Sequence, residues 1–222
     1  MNVKREHPGS EAKASPVDAL LAAYCAGTLE PSLHALVASH LALRPGSRAY
    51  VSALEDLAAE NMANVAPEPL SHREDRLAAI FAQDMAPAPR RHFGTILPSP
   101  LRQYLGHELE SVHWRTKLPG VKEYRIEDQG RGEASLLWVR AGRRMPSHTH
   151  EGLEVTLVLK GGFSDVTGHY VRGDIAFAES DLDHKPVTDE GEDCICFAVT
   201  DGPLHLTGPF GRLLDRFFGE RH

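Results

Sequence analysis

The sequence predicts a multidomain α and β protein, in which an N-terminal unit of four helices precedes a small C-terminal β-barrel. Three observations lead to this division. Apolar residues recur at three and four residue intervals as far as about residue 85, which is the spacing of helix faces. The stretch from Ala86 to Arg91 is rich in proline and marks a boundary, and short runs of β-forming residues between glycines follow it. We therefore expect a helical domain over residues 1–85, a linker over 86–98 and a β-barrel domain over 99–222.

The composition is that of a soluble protein with a substantial core, 41% hydrophobic and 25% charged over 222 residues. The formal net charge of -7 argues against direct binding of nucleic acid and suits a basic protein partner. The first twenty residues contain no apolar run long enough for a signal peptide or a membrane helix, so we expect a cytoplasmic protein without membrane contact. Three cysteines, an odd number, favour reduced thiols over a disulfide framework.

Capping residues and prolines predict the limits of the first two helices. Ser15 can cap a helix whose first position is Pro16, and Asp18 can bond back to complete a capping box. A second helix is expected to open at Pro31. It must stop before Pro45, because proline lacks the backbone donor and disfavours helix in the residue before it.

Serine caps predict two further helices. Ser47 can cap a third helix, and Ser71 with Glu74 forms a capping-box pair ahead of a fourth. Four short helices carry many apolar residues for a domain near the size at which one core is only marginally sufficient. Two alternatives stay open here: a self-contained bundle, or a bundle whose apolar surface awaits a partner.

The second half of the chain changes to a β pattern. Its runs are short, rich in β-branched and aromatic residues, and separated by glycines that suit turns. We predict strands over Val121 to Ile126, Ala134 to Val139, Glu154 to Leu159, Asp174 to Ala178 and Cys194 to Val199.

Four residues of the β half have the spacing and chemistry of a metal site. In a strand, residues two apart face the same side, so His148 and His150 can reach one point inside a barrel. Glu154 can enter from the next strand, and His184, eleven residues after Gly173, can come from across the barrel. Three imidazoles and one carboxylate suit one divalent ion, which could be Zn, Fe(II), Mn, Ni or Co.

The spacing resembles the first motif of the cupin signature, which reads G, five residues, H-x-H, three or four residues, E, six residues, G. The segment from Gly142 to Gly161 matches it at every named position. The resemblance implies a double-stranded β-helix barrel whose metal ligands are His148, His150, Glu154 and His184.

The second cupin motif is matched less closely. Gly173 and His184 have the expected separation, but Glu179 and Asp181 stand where cupins usually have proline and glycine, and Thr188 replaces the common asparagine. These departures affect the expected turn geometry and leave the ligand in place.

Five segments carry a wider resemblance: residues 17–29, 36–41, 112–116, 152–159 and 193–196. Taken with a helical unit ahead of a cupin, they resemble the ChrR family of anti-sigma factors, and the likeness covers nearly the whole chain. The resemblance implies a cytoplasmic non-enzyme without catalytic residues. It implies an extracytoplasmic-function-type sigma factor as partner, zinc as the preferred metal, and release of sigma when singlet oxygen or an organic hydroperoxide is sensed.

The helical unit departs from the zinc-binding pattern of such proteins, which is H, three residues, C, two residues, C. His40 is present, but Arg44 and Ser47 occupy the two cysteine positions, and neither side chain can supply a thiolate. We therefore expect no second metal site here, and we expect His40 to be a half-buried packing or hydrogen-bonding residue.

Cys194 and Cys196 lie two apart on a predicted strand and so share one face. A disulfide between them would need a Cα separation at the upper limit for that bond, and two ordinary core cysteines are the simpler interpretation. Oxidation of these thiols, or of the ligand histidines, is the hypothesis for sensing.

Two other functions fit the same ligands. A cupin dioxygenase would hold Fe(II) with open positions for substrate and dioxygen, but it would not need the helical unit. A cupin that binds a sugar or another small ligand and carries a helical dimerisation domain is the third alternative. A homodimer through exposed strand edges of the cupin and a sigma-bound monomer both remain open.

Overall fold

The structure, a computed structural model, describes residues 15–83, 95–126, 132–150, 152–179, 185–202 and 204–206. The side chains of residues 150 and 204–206 are outside this description. Its helices are α1 (Pro16–Cys25), α2 (Pro31–Leu43), α3 (Pro45–Met62), α4 (Arg73–Phe81) and α5 (Ser99–Leu105), with a 3-10 turn at Leu109–Ser111. Its strands are β1 (Arg115–Leu118), β2 (Val121–Ile126), β3 (Glu133–Val139), β4 (His148–His150), β5 (Glu154–Lys160), β6 (Gly162–Ser164), β7 (His169–Val171), β8 (Ile175–Ala178), β9 (Val187–Thr188), β10 (Cys194–Thr200) and β11 (Leu204–Leu206).

The first two helices have the predicted limits. The Asp18 backbone N–H donates to Ser15 Oγ at 3.1 Å, and the Ser15 N–H donates to Asp18 Oδ2 at 3.3 Å, so the predicted capping box is present. Helix α2 begins at Pro31 and ends one residue before the extended Arg44, as the following Pro45 requires.

The predicted starts of the third and fourth helices are wrong. Helix α3 begins at Pro45, so Ser47 lies inside its first turn, where its hydroxyl bonds a histidine side chain. A proline fits the first helical position because its missing donor would be unpaired there. Helix α4 follows His72, which is left-handed at φ 56°, and Glu74 pairs with Arg73 rather than forming a capping box.

The helices and the main sheet share one apolar core. Helix α2 packs against α5 and reaches β10, which places Leu36, Leu101 and Phe197 in one continuous buried cluster. Helix α4, by contrast, has no buried residue. The helical N-terminal part is thus confirmed, but among the described residues it does not form a self-contained four-helix bundle.

Within the described residues, the strands form three antiparallel sheets, with order β1-β2-β3-β10-β5-β8 in the largest and β7-β6-β9 and β11-β4 in the other two. All five strands predicted from the β runs are present within one residue of their predicted limits. A cupin-like β-domain is therefore confirmed, and closure of its barrel stays a prediction. The predicted linker from Ala86 to Arg91 lies outside the described residues, and the predicted domain limits stay predictions.

Strand β10 separates two apolar layers. Ile195, Phe197 and Val199 face the core shared with the helices, where the Tyr104 ring of α5 lies 6.1 Å from the Phe197 ring between centroids. Cys194 and Cys196 face the other side, with a second cluster that includes Val158, Phe163 and Ala176. This alternation follows from the two-residue period of a strand.

Candidate functional site

The first predicted motif folds as a turn followed by a strand. Gly142 adopts φ +64°, and the strand β4 from His148 to His150 pairs with β11. The prediction that the two histidines lie two apart in a strand is confirmed.

His148 is buried and its ring is held by a hydrogen bond to the backbone. Its ring is 5% exposed, and Nδ1 donates to the backbone carbonyl of Pro146 at 2.8 Å. Because a carbonyl only accepts, Nδ1 carries a proton, which leaves Nε2 as the nitrogen that would coordinate a metal ion. Histidine ligands in proteins are usually oriented by a second hydrogen bond of this kind.

Glu154 is buried at the start of β5 and is fixed in the same way. Its Oε1 accepts a hydrogen bond from Thr156 Oγ1 at 2.8 Å. Strand β5 is paired on both sides, with Thr200 of β10 and Ala178 of β8 opposite Glu154. A buried carboxylate beside a donor on a doubly paired strand fits the role of a metal ligand.

The other two predicted ligands cannot be placed. His184 and the side chain of His150 lie outside the described residues. Within the part of the chain that the structure describes, no three His, Cys, Asp or Glu side chains are grouped as a metal site. The four-ligand centre therefore stays a prediction, which the environments of His148 and Glu154 support.

One departure in the second cupin motif, Thr188, has a clear structural role. Thr188, where cupins usually have asparagine, donates through Oγ1 to the Arg140 carbonyl at 2.7 Å and accepts from the Arg143 backbone N–H at 2.9 Å. This hydroxyl joins the second motif to the turn that opens the first. Glu179 is exposed, and Asp181 lies outside the described residues.

The two cysteines of β10 are close together inside the β-domain. The Sγ atoms of Cys194 and Cys196 are 3.5 Å apart and both side chains are buried, so the predicted shared face is confirmed. The hydrogen bond with Cys194, then burial, raises the pKa of the Cys196 thiol well above its usual value, and the nearby Glu154 carboxylate adds to this. Cys196 and Glu154 thus face a common interior.

His40 is a buried hydrogen-bonding residue, as predicted from the missing thiolates, and it is buried further than expected at 5% exposure. Its Nδ1 lies 2.7 Å from the Gly173 carbonyl oxygen and its Nε2 lies 2.7 Å from Ser47 Oγ. The carbonyl can only accept, so Nδ1 donates and Nε2 accepts from the hydroxyl. Burial lowers the pKa of His40 below its ordinary value, which keeps this ring neutral.

The segment from the second half of α3 to the end of α4 exposes six large apolar side chains. We call this set of side chains the α3–α4 surface. Met62 is 74% exposed and Phe81 is 82% exposed, which is unusual for side chains of this size in a folded protein. Its members are Leu57, Met62, Val65, Leu70, Ile80 and Phe81.

Comparison with known proteins agrees with this arrangement. The family model described as ChrR Cupin-like domain matches residues 103–204. The anti-sigma-E factor ChrR of Cereibacter sphaeroides is 42% identical over 205 residues, which cover 90% of this chain and 95% of that protein. The chain belongs to the ChrR family of anti-sigma factors. In the crystal structure of Rhodobacter sphaeroides SigE with the anti-sigma ChrR, the matching chain is also 42% identical, with TM-score 0.69 over 83% of this chain and 96% of that one.

Membership of the ChrR family confirms the resemblance inferred from the five segments. It places the chain among regulatory proteins, so the expectation of a non-enzyme holds and the dioxygenase alternative is set aside. None of the described helices is long and apolar enough to cross a membrane.

Proposed function

We propose that this chain is an anti-sigma factor that binds an extracytoplasmic-function-type sigma factor through its helical region, residues 16–85. The observation that carries the proposal is the α3–α4 surface, in a chain whose relative was crystallised with SigE. The proposal requires the chain to be present in the cytoplasm, where sigma factors act.

The α3–α4 surface has the properties of a protein-binding site. Its apolar side chains come from two helices and the segment between them, and we propose that one partner helix or groove covers them together. Large apolar anchors at the centre of an interface supply most of its binding energy. Acidic residues lie near the apolar ones in sequence: Asp56 and Glu60 in α3, and Glu74 and Asp75 in α4, which pair with Arg73 and His72. We therefore expect the sigma surface that docks here to be apolar with a basic margin.

We further propose that the cupin region holds one divalent metal, zinc in preference to iron, manganese or nickel, through His148, His150, Glu154 and His184. The hydrogen bonds from His148 to Pro146 and from Thr156 to Glu154 support this assignment. When bound, the metal would hold these four ligands in one arrangement. Loss or oxidation of a ligand would release that constraint.

The signal in this proposal is an oxidant of the singlet oxygen or organic hydroperoxide class. Imidazole rings at the metal site and the thiols of Cys194 and Cys196 are the oxidisable groups. An organic hydroperoxide would take two electrons from the two thiols, leaving one S–S bond and releasing the alcohol and one water, which carry away the thiol protons. Because residues two apart in a strand approach the upper Cα limit for a disulfide, this bond would distort β10, whose other face contacts the helices.

Co-purification tests the proposed function. The full chain is co-expressed with each extracytoplasmic-function-type sigma factor of its source organism, and the complex is then exposed to a hydroperoxide. We expect one sigma factor to be retained and then released. Because a Glu154→Ala chain has already lost one ligand, hydroperoxide should cause no further release of sigma from it. Absence of any sigma would contradict the anti-sigma function, and unchanged release from Glu154→Ala would contradict sensing at the metal site.

A further inference from the structure

A turn of the cupin region lies directly against the corner between α2 and α3. We call residues 171–174 the β7–β8 turn and residues 40–48 the α2–α3 corner. The turn contacts the corner through Gly173 and Asp174, and it contacts the chain ahead of α5 through Arg172. It thus joins three parts of the molecule that are far apart in sequence.

The first contact uses both nitrogens of His40. One nitrogen donates to the Gly173 carbonyl across the boundary, and the other accepts from Ser47 within the corner. No nitrogen lone pair of His40 is then available for a metal, and neither Ser47 nor Arg44 can supply a thiolate. The corner therefore does not fit the zinc site that the H-x3-C-x2-C pattern would form.

The second contact is an ion pair. Arg44 Nη2 lies 2.6 Å from Asp174 Oδ1, while the other carboxylate oxygen of Asp174 accepts from the Val171 backbone N–H at 3.0 Å. The carboxylate is thereby fixed within its own turn before it pairs with Arg44. Both side chains are about one-third exposed, so the pair orients the corner more than it stabilises the fold.

The third contact is steric. Gly173 adopts φ +91°, and a Cβ at this position would lie 3.0 Å from Leu43 Cβ and 3.0 Å from Arg44 Nε. The close approach of the corner to the turn thus requires glycine.

Arg172 extends the contact to the chain that enters the cupin region. Its guanidinium donates to the carbonyls of Ile96 at 3.1 Å and Thr95 at 3.2 Å, and also to that of Leu159 in β5. Three carbonyl acceptors fix the side chain and with it the backbone of the turn.

The β7–β8 turn is also connected to the candidate metal centre. It leads directly into β8, which pairs with β5 from Leu157 opposite Ile175 to Glu154 opposite Ala178. A displacement at Glu154 would therefore be carried along one short, paired strand to the α2–α3 corner.

We propose that the β7–β8 turn is the contact through which the cupin region controls the helical region, and that this junction works without a metal. His40 and Arg44 bind the turn at the helix corner where zinc-binding anti-sigma domains place thiolates. The controlling role rests on the proposed anti-sigma function, whereas the junction itself does not.

Hydrogen exchange on the full chain tests the junction. Gly173→Ala adds the Cβ that meets Leu43 and Arg44, and Gly191→Ala is its control, because Gly191 also has positive φ but has nothing within 4 Å of an added Cβ. Arg44→Ala removes the ion pair without altering the cupin region. Its control is Arg48→Ala, which removes only a 3.8 Å pair with Glu55 inside α3.

We expect amides of residues 40–48 to exchange roughly tenfold faster in Gly173→Ala and roughly threefold faster in Arg44→Ala, with both controls close to wild type. Exchange as slow as in wild type in both variants would overturn the junction. A chelator is also added to a His148→Ala chain. If the amides of residues 40–48 then exchange faster, a metal is bound at His40, and the claim that the junction works without a metal is overturned.

The rate of sigma release tests whether the β7–β8 turn controls the helical region. With cumene hydroperoxide as the probe, Gly173→Ala and Arg44→Ala should still bind sigma but release it at least about tenfold more slowly than wild type. Faster corner exchange with unchanged release would overturn the controlling role. A wild-type chain that binds no sigma would contradict both the proposed function and the controlling role of the turn. The exchange measurement would still decide whether the junction exists.

Discussion

His148 and Glu154, two candidate metal ligands, illustrate how much of a site lies in the residues that hold its principal side chains. The ligand spacing alone identified both, because H-x-H followed by a glutamate is a local pattern. Pro146 and Thr156, which orient them, were not singled out from the sequence. A signal for Thr156 did exist, since it lies two residues after Glu154 and therefore on the same strand face. No sequence signal indicated the Pro146 carbonyl, because every residue has a backbone carbonyl.

Replacing Thr156 with valine tests the proposed metal ligand. The variant keeps the shape of the side chain but removes the hydroxyl that donates to Glu154 Oε1. We expect metal affinity to fall roughly 10–100-fold, as is usual when an outer partner of a ligand is removed. Competition with a chromogenic chelator measures it, and Thr116→Val on the exposed strand β1 is the control. Equal affinities in the two variants would argue against Glu154 as a ligand.

His40 predicts a pH dependence of stability. Burial, aided by Arg44, lowers the pKa of His40, and the Gly173 carbonyl and Asp174 oppose the change only in part. The folded pKa is thus below the unfolded value of about 6.5. The unfolded chain then binds more protons, so the stabilising contribution of His40 is complete above about pH 6.5 and is lost as pH falls through the folded pKa.

Urea denaturation at a series of pH values measures this contribution. The free energy of unfolding of wild type should fall on acidification more steeply than that of His40→Gln, in which the other histidines still titrate. Parallel curves for the two proteins would contradict the assignment.

At the scale of elements, local sequence patterns predicted regular structure well where the chemistry is local. The capping box of α1, the proline at the start of α2 and the longer strands all follow from neighbouring residues. The start of α3 was misplaced because Ser47 bonds His40 rather than the helix end. Helix α5 was not predicted because its seven residues make only about two turns, too few for a periodic apolar pattern to be recognised. Its burial depends on contacts with α2 and β10.

The capping box gives a stability prediction. Ser15→Ala removes the hydroxyl that accepts from the Asp18 N–H and should lower the free energy of unfolding by about 1 kcal/mol. Chemical denaturation measures this, and Ser52→Ala, at an exposed position inside α3, should leave stability nearly unchanged. A loss no larger than in the control would mean that the cap does not contribute.

The α3–α4 surface gives a binding prediction. An Ile80→Ala, Phe81→Ala double variant should weaken sigma binding by at least about tenfold, because large exposed anchors of this kind dominate interface energies. Folding should be unaffected, since α4 buries no residue. Val166→Ala removes an apolar side chain of similar exposure, 75%, from the β6–β7 turn and is the matched control. Unchanged affinity in the double variant would place the sigma site elsewhere.

At the scale of the whole molecule, the contacts between distant segments could not be predicted from the sequence. His40 bonds Gly173 across 133 residues, and no local pattern pairs Arg44 with Asp174. The glycine at position 173 was expected from the cupin motif, but its close approach to Leu43 was not. The family resemblance identified both halves, whereas their shared core through α2, α5 and β10 emerged only from the packing.

This arrangement explains how one chain could both inhibit a sigma factor and respond to an oxidant. The α3–α4 surface is free to meet a partner, while α2 is packed on the cupin region that carries the candidate metal ligands. In the proposed mechanism, a change in the cupin region would reach the helices through contacts that do not involve the exposed surface.

Transcription in vitro tests the central claim most directly. RNA polymerase core enzyme, the sigma factor retained by the chain and its own promoter are mixed with increasing amounts of the full chain. The account predicts that transcription falls to background at one chain per sigma factor and returns when hydroperoxide is added. Full transcription in a large molar excess of the chain would contradict the claim that this protein is an anti-sigma factor.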